Sequence, residues 1–268
     1  MVNVFHIVLT DAEMDKCREF SRISAASQQA IEFGQHTTKA RPEKEIARDN
    51  LIGKMAEVAF SKMMKENYGI DVPLDFNYYP RGQWDNQDAV INGWRIDVKG
   101  TRKGGHWMLI EWNKLNFRQR DNNLSHLYAM FSVDWDRATD RPTGRVSYEG
   151  AVSLKKLRAG CQITHVLRKG DMLPGTHTVL QADNYGIQFR DLYKHLNHLV
   201  AYLTEQEPPK SLTDNFHNPY TGQTTAQILA ASQPEKIKVA AKSENLSGGQ
   251  ETSVISAIAA WFKTLLGK

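Results

Sequence analysis

The amino-acid sequence predicts an α/β protein in which a mixed β-sheet is flanked by helices and followed by a polar linker and an amphipathic C-terminal helix. Two segments with apolar residues at helical spacing come first, and short β-rich runs separated by Gly, Asn, Asp and Pro then continue to about residue 190. A stretch rich in Pro, Ser, Thr and Gln follows. We therefore expect a domain over 1–205, a linker over 206–251 and a helix over 252–268.

The helices are predicted from capping residues and apolar spacing. After a first strand within residues 1–10, Thr10 can cap a helix over 11–34, which ends at a glycine. Pro42 suits the start of a second helix over 43–67, whose apolar residues follow the i, i+3, i+4 pattern of one buried face. The other expected elements are strands over 88–91, 94–99, 106–112, 127–135 and 145–153 and helices over 153–158 and 189–205.

The composition is that of a globular protein. Of 268 residues, 41% are hydrophobic and 24% are charged, which excludes wholesale disorder and a collagen-like chain. The formal net charge is only +4, so a surface that binds a polyanion must be a local patch.

The same composition predicts a cytoplasmic location. Cys17 and Cys161 are the two cysteines, which favours a reducing compartment over a disulfide-dependent fold. The N-terminal apolar run lacks the basic residues of a secretory signal. Because no apolar run reaches the 18 or so residues that cross a bilayer, we expect no integral membrane segment.

A β-hairpin is predicted where Asn92 and Gly93 separate two β-type runs, because a type I′ turn needs positive φ at both positions. Counting outwards from the turn places Asp88 opposite Asp97, and alternation places Lys99 on the same face as Asp97. Opposed like charges are destabilising unless a cation or a proton lies between them. Mg²⁺ would remove the repulsion, and Lys99 is then placed to orient or deprotonate a water or to stabilise a charged transition state.

A third carboxylate, Glu57, lies on the second predicted helix beside its apolar stripe. Gly53 and Ser61 lie four residues to either side on the same face, so small side chains leave that face open. An acidic residue with space around it suits a metal ligand or a close approach of substrate backbone. Taken singly, each acid is best interpreted as a surface carboxylate, and it is their joint occurrence that favours a metal site.

These residues resemble the PD-(D/E)XK nuclease superfamily, which has the restriction-endonuclease-like fold. The family pattern is an acid on a helix, then an Asp, then Asp-x-Lys on the second strand of a hairpin, and Glu57, Asp88, Asp97 and Lys99 match it. The resemblance covers roughly residues 45–135. It implies that the three acids hold one or two Mg²⁺ ions, for which Mn²⁺ can substitute, and that the lysine assists a water in hydrolysing a phosphodiester.

The chain departs from the family pattern just before the first aspartate. Asn86 and Gln87 stand where the family often has a proline, and Asp85 is a competing candidate for the role of Asp88. Gln119 is a weak match to a glutamine that some members carry after the core motif.

The local charge in this part of the chain fits a phosphate-bearing substrate. Between Arg95 and Arg120, seven basic residues stand against two acidic ones. Gly100, Gly104 and Gly105 would let the protein backbone approach a phosphodiester, and Trp107 and Trp112 would stack on bases. The alternative is a solvated sheet edge with core tryptophans. The expected nucleic-acid-binding residues are Arg95, Arg102, Lys103, Lys114, Arg118 and Arg120.

The sequence therefore predicts a metal-dependent DNA endonuclease acting on double-stranded DNA, for example in restriction or defence against foreign DNA. The alternative is a non-catalytic nucleic-acid-binding or assembly module that retains the nuclease fold. Because many nucleases of this fold cut two strands as dimers, the resemblance also implies a homodimer or higher oligomer. DNA against RNA and endo against exo cutting stay open.

The segment 252–268 has its apolar residues on one helical face. A helix of this length is marginal alone in water, so we expect that face to be buried against the domain, a second copy, another protein or a membrane surface. Lys263 and Lys268 are its only basic residues, which favours a protein partner over an anionic lipid surface.

Overall fold

The computed structural model describes residues 5–28, 42–78, 88–111, 124–158 and 164–212. These residues form a mixed α/β fold with a mixed sheet flanked by helices, as the sequence predicts. No helix in these ranges is long and apolar enough to cross a membrane. Most of the predicted linker and all of the predicted C-terminal helix lie outside the described residues.

Two long helices follow the first described strand, and most of the other strands come after them. In chain order they are β1 (His6–Val8), α1 (Asp11–Gln28), α2 (Glu43–Tyr68), β2 (Ala89–Ile91), β3 (Trp94–Arg102), β4 (Trp107–Glu111), β5 (Leu127–Asp136), β6 (Arg141–Ser153), α3 (Leu154–Arg158), β7 (Thr164–Leu167), β8 (Asn184–Gln188), a 3-10 helix (Phe189–Asp191) and α4 (Leu196–Glu205). The first strand, both long helices and five of the predicted β-type runs are thus present, with small shifts at their ends.

The described strands form two sheets. The larger, five-stranded sheet has the order β1-β6-β5-β3-β2, and its β3–β5 pair is parallel while its other pairs are antiparallel. The smaller, three-stranded sheet has the order β4-β8-β7 and is antiparallel. The chain leaves the larger sheet after β3 to form β4 and returns as β5, and such a crossover allows β5 to lie parallel to β3.

The ends of the two long helices follow from their capping residues. The Glu13 carboxylate accepts the Thr10 N–H at 2.6 Å, and the Glu13 N–H donates to the Thr10 hydroxyl at 3.2 Å, which is a capping box at the start of α1. Helix α2 begins after Pro42 and ends at Gly69, whose φ of 67° is left-handed. Residues 29–34 of the first predicted helix lie outside the described ranges.

The core has one layer on each face of the larger sheet. Helices α1, α2 and α4 cover one face, and the smaller sheet with α3 covers the other. Strand β3 alternates accordingly: Trp94, Ile96 and Val98 are buried in the helical layer, whereas the side chains between them are half-buried on the opposite face. The predicted apolar stripe of α2 is also buried in the helical layer and comprises Ile52, Met55, Ala56, Ala59, Phe60 and Met63.

Helix α2 packs very closely on β3 at Gly100. A Cβ atom added to Gly100 would lie 2.7 Å from the Ile52 carbonyl oxygen and 3.1 Å from the Ala56 Cβ, so a larger residue would push the helix away. The prediction that this glycine faces substrate backbone is therefore wrong, because the helix occupies the space. The close packing places Glu57, which follows Ala56, near the strand that carries Asp97 and Lys99.

Two parts of the fold differ from the sequence prediction. Strands β7 and β8 were not expected, since both are short and Gly186 interrupts the β-type pattern of the second. The helix expected over 189–205 begins only at Leu196. The reason is that Tyr193 pairs its backbone with Ala151, donating at 2.9 Å and accepting at 3.0 Å, which keeps the chain extended there.

Candidate active site

The hairpin that carries the candidate site has the predicted register. Asn92 and Gly93 form the turn with φ angles of 46° and 79°, both positive as a type I′ turn requires. The Asn92 amide donates to three carbonyls at the end of α4, at 3.2 to 3.3 Å, and the Trp94 indole donates to the Gln206 carbonyl at 2.8 Å. The paired residues are Ile91 with Trp94, Val90 with Arg95 and Ala89 with Ile96.

Asp88 immediately precedes β2, one position beyond the last paired residue, and continuing the register places it opposite Asp97. Its carboxylate accepts the backbone N–H of Val98 at 2.6 Å, which ties it to β3. Burial is the largest cause that raises the pKa of Asp88, and the negative charges of Asp97 and Glu57 raise it further. Asp97 and Glu57 therefore both lie within electrostatic reach of Asp88.

Asp97 and Lys99 lie two residues apart on β3, on the half-buried face that points away from the helical layer. The Lys99 ammonium forms an ion pair with the Asp97 carboxylate. Burial alone would lower the pKa of Lys99, but the charges of Asp97, Asp88 and Glu57 outweigh it and leave that pKa raised. Lys99 is thus held as a cation among carboxylates, and in this state it donates protons in hydrogen bonds rather than accepting one.

Glu57 lies on α2, where its Oε2 accepts a hydrogen bond from the Lys54 ammonium at 2.5 Å. The side chain is 14% exposed. The predicted open face is present on one side of Glu57 only, where a Cβ added at Gly53 would meet no atom within 4 Å. Ser61, on the other side, donates its hydroxyl proton to the Val72 carbonyl at 2.7 Å, which holds the following segment against the helix.

These residues fit a Mg²⁺ ion held by two carboxylates better than a ready-made cage of three. Mg²⁺ prefers oxygen ligands and is commonly bound by one or two protein carboxylates while it keeps several waters. The opposed pair Asp88 and Asp97 supplies that donor set. Burial is the largest cause of the raised pKa of Asp88, and the neighbouring negative charges that add to it are charges that a cation would offset. Within the described ranges, no three His, Cys, Asp or Glu side chains form a group that could hold a metal.

Three of the six predicted nucleic-acid-binding residues lie in the described part of the chain, and two of these three pair with acids. The Arg102 guanidinium lies 4.2 Å from the Trp135 ring and 3.5 Å from Asp140, and Lys103 pairs with Asp134 at 3.4 Å, so acids partly neutralise both cations. Arg95 is half-buried on the same face of β3 as Asp97. Lys114, Arg118 and Arg120 lie outside the described residues, as do Asp85, Trp112 and Gln119.

Trp107 does not stack on a substrate base, contrary to the sequence prediction. It is 8% exposed, packs in a small apolar cluster with Leu167, Leu173 and Leu180, and donates its indole N–H to the Pro174 carbonyl at 3.0 Å. The core alternative for this tryptophan is therefore correct.

Lys54 is the residue of the site region that sequence reasoning missed. Its side chain is only 3% exposed. Lysine is rarely buried so fully unless it has a partner, and here the partner is Glu57. Its position three residues before Glu57 is a signal of helical pairing that the sequence does contain. The sequence does not show that the pair is buried.

Comparisons of the chain with models of protein families, with curated proteins and with solved structures found no match.

Proposed function

We propose that this protein is a metal-dependent nuclease that hydrolyses phosphodiester bonds, most readily as an endonuclease on double-stranded DNA. The observation that carries the proposal is the cluster on β3 and its neighbours, where Asp88, Asp97 and Lys99 share one face of a hairpin and Glu57 lies within electrostatic reach. This order of acids and lysine is that of the PD-(D/E)XK superfamily, and the restriction-endonuclease-like fold is part of the proposal.

The residues take distinct roles in this proposal. Asp88 and Asp97 would hold Mg²⁺ or Mn²⁺, which when bound polarises a phosphate and lowers the pKa of a coordinated water. Lys99, held as a cation, donates hydrogen bonds to the attacked phosphate or orients the water, and stabilises negative charge that develops in the transition state. Glu57 orients a water from the side of α2.

The substrate class follows from the charges around this cluster. Arg95 lies on the face of Asp97 and Lys99, and further basic residues follow in the chain up to Arg120. We assign the phosphate contacts to the six predicted basic residues, Arg95, Arg102, Lys103, Lys114, Arg118 and Arg120, of which Arg102 and Lys103 pair with acids. A homodimer, a protein partner of the C-terminal helix and a cytoplasmic location complete the proposal.

A second candidate function is a non-catalytic nucleic-acid-binding or assembly module that retains the fold. The observation that favours it is that two of the three acids already have lysine partners, Lys54 for Glu57 and Lys99 for Asp97. A network of such ion pairs also occurs in purely structural roles.

The decisive experiment is incubation of the protein with plasmid DNA, linear DNA and RNA in Mg²⁺, Mn²⁺ or EDTA. We expect cleavage of DNA with either metal and none with EDTA. Binding of metal and nucleic acid without cleavage of any substrate would contradict the enzyme and support the non-catalytic module. Cleavage that persists in EDTA would contradict the metal site.

A further inference from the structure

The buried lysine of α2 is fully surrounded by interaction partners. The Lys54 ammonium donates to Glu57 Oε2 at 2.5 Å and to the Asp75 carbonyl at 2.7 Å. It also lies 4.3 Å from the centroid of the Phe20 ring and 5.4 Å from that of Phe76, both distances at which a cation is attracted to an aromatic face. The ammonium is therefore satisfied without water.

Three separate segments meet at this ammonium. Phe20 belongs to α1, Lys54 and Glu57 belong to α2, and Asp75 and Phe76 belong to the segment that follows α2. The two aromatic rings also contact each other edge to face, with centroids 6.0 Å apart. Such a packed arrangement leaves Lys54 little rotational freedom, so the direction of its hydrogen bond to Glu57 is fixed by residues remote from the hairpin.

A buried lysine of this kind needs an explanation beyond stability. An apolar residue of similar volume often stabilises a core as well as a buried ion pair does. Glu57, the acid of the Lys54–Glu57 pair, lies on the helix that packs on β3 at Gly100. Its negative charge acts on two residues of the hairpin, since it contributes to the raised pKa of both Asp88 and Lys99. Lys54, the base of the pair, is held by Phe20 of α1 and by the Asp75 carbonyl.

We infer that Lys54 is a positioning residue of the proposed active site: it fixes the orientation of the Glu57 carboxylate on α2, the helix that packs against β3 at Gly100, without touching metal or substrate itself. This inference rests on the proposed function and deepens it. A positioned partner behind a metal-site carboxylate commonly changes metal affinity by about 10- to 100-fold when it is removed.

The test is Mn²⁺ binding to the full chain, measured by electron paramagnetic resonance, together with DNA cleavage. Lys54→Met removes the ammonium but keeps an apolar side chain against Phe20, and we expect Mn²⁺ to bind at least about 10-fold more weakly. Lys62→Met is the matched control, because Lys62 also lies on α2 and pairs with a glutamate of α1, at 3.0 Å, away from the hairpin. We expect wild-type Mn²⁺ affinity from the control.

A second pair of variants keeps the inference testable if Lys54→Met alone does not fold. The double variant Lys54→Met with Glu57→Gln removes both charges of the pair and so leaves no unpaired buried charge. It is compared with Glu57→Gln, in which the Lys54 ammonium keeps its hydrogen bond to the Asp75 carbonyl and can donate to the amide oxygen. If Lys54 acts through Glu57, the two should bind Mn²⁺ with the same affinity within about twofold, as expected when one residue works only through the other. A clear difference between them, or wild-type affinity of a folded Lys54→Met, would overturn the inference. Wild-type protein that binds no Mn²⁺ and cleaves nothing would instead refute the proposed function.

Discussion

Substitution of Gly100 by alanine tests how helix α2 is placed on the site strand. The added Cβ would lie 2.7 Å from the Ile52 carbonyl oxygen, 3.0 Å from the Ile52 Cγ2 and 3.1 Å from the Ala56 Cβ. The closest of these atoms is helix backbone, which cannot rotate away as a side chain can. Overpacking of this kind costs about 1–3 kcal/mol, because the helix and the strand must separate.

The expected result is a lower melting temperature and weaker catalysis together. For a folded region of this size, 1 kcal/mol corresponds to about 2–4 °C, so the cost predicts a decrease of roughly 2–12 °C in a thermal unfolding experiment. Displacing α2 also displaces Glu57, and a shift of about 1 Å in a catalytic group can cost roughly 100-fold in rate. Cleavage of plasmid DNA, measured well below the unfolding temperature, reports that second effect.

Gly53→Ala is the matched control, because Gly53 lies on α2, the helix that packs on Gly100, and a Cβ at this position meets no atom within 4 Å. Alanine is favoured over glycine inside a helix by up to about 1 kcal/mol, so this variant should be more stable than the wild type. If Gly100→Ala were as stable as the wild type, or if both substitutions destabilised the protein equally, the described packing of α2 on β3 would be wrong.

Two further substitutions test the charges of the site. Lys99→Ala should lower the cleavage rate by about 100-fold or more while Mn²⁺ affinity stays close to that of the wild type, and near wild-type turnover would remove Lys99 from the mechanism. The pKa of Asp88 is raised in the folded protein, so the metal-free wild type should lose stability as pH rises from 3.8 through that raised pKa. Asp88→Asn keeps the shape of the side chain and should abolish both this loss of stability and the stabilisation by Mg²⁺. Urea unfolding at several pH values, with and without Mg²⁺, measures both effects. An unchanged pH dependence in this variant would contradict the raised pKa of Asp88.

The part of the site that the sequence predicts is the part set by local rules. Asn92 and Gly93 specify a two-residue turn, and the strict alternation of a strand then places Asp97 and Lys99 on one face and Ile96 on the other. The apolar stripe of α2 is equally local. These patterns depend on neighbours in the chain, so the sequence contains them directly.

The parts that the sequence does not predict depend on residues far apart in the chain. Gly100 is small because α2 packs on it, and Trp107 is buried because the Pro174 region covers it. Lys54 is surrounded by residues of α1 and of the segment after α2. Tyr193 stays extended because it pairs with Ala151 on β6. Such tertiary contacts override local preferences, and a single sequence does not show them.

The hydrogen bonds from the hairpin turn to the end of α4 join residues that are synthesised far apart in time. The carbonyls that receive the Asn92 amide belong to Leu203, Thr204 and Gln206, 111 to 114 residues further along the chain. A hairpin whose register slips by one residue exchanges its two faces, so this late contact helps to select the arrangement that places Asp97 and Lys99 on the face opposite the helical layer. A nascent chain from which Gln206 has not yet emerged from the ribosome therefore lacks these hydrogen bonds. The native register of the hairpin should therefore become stable only when the end of α4 has docked.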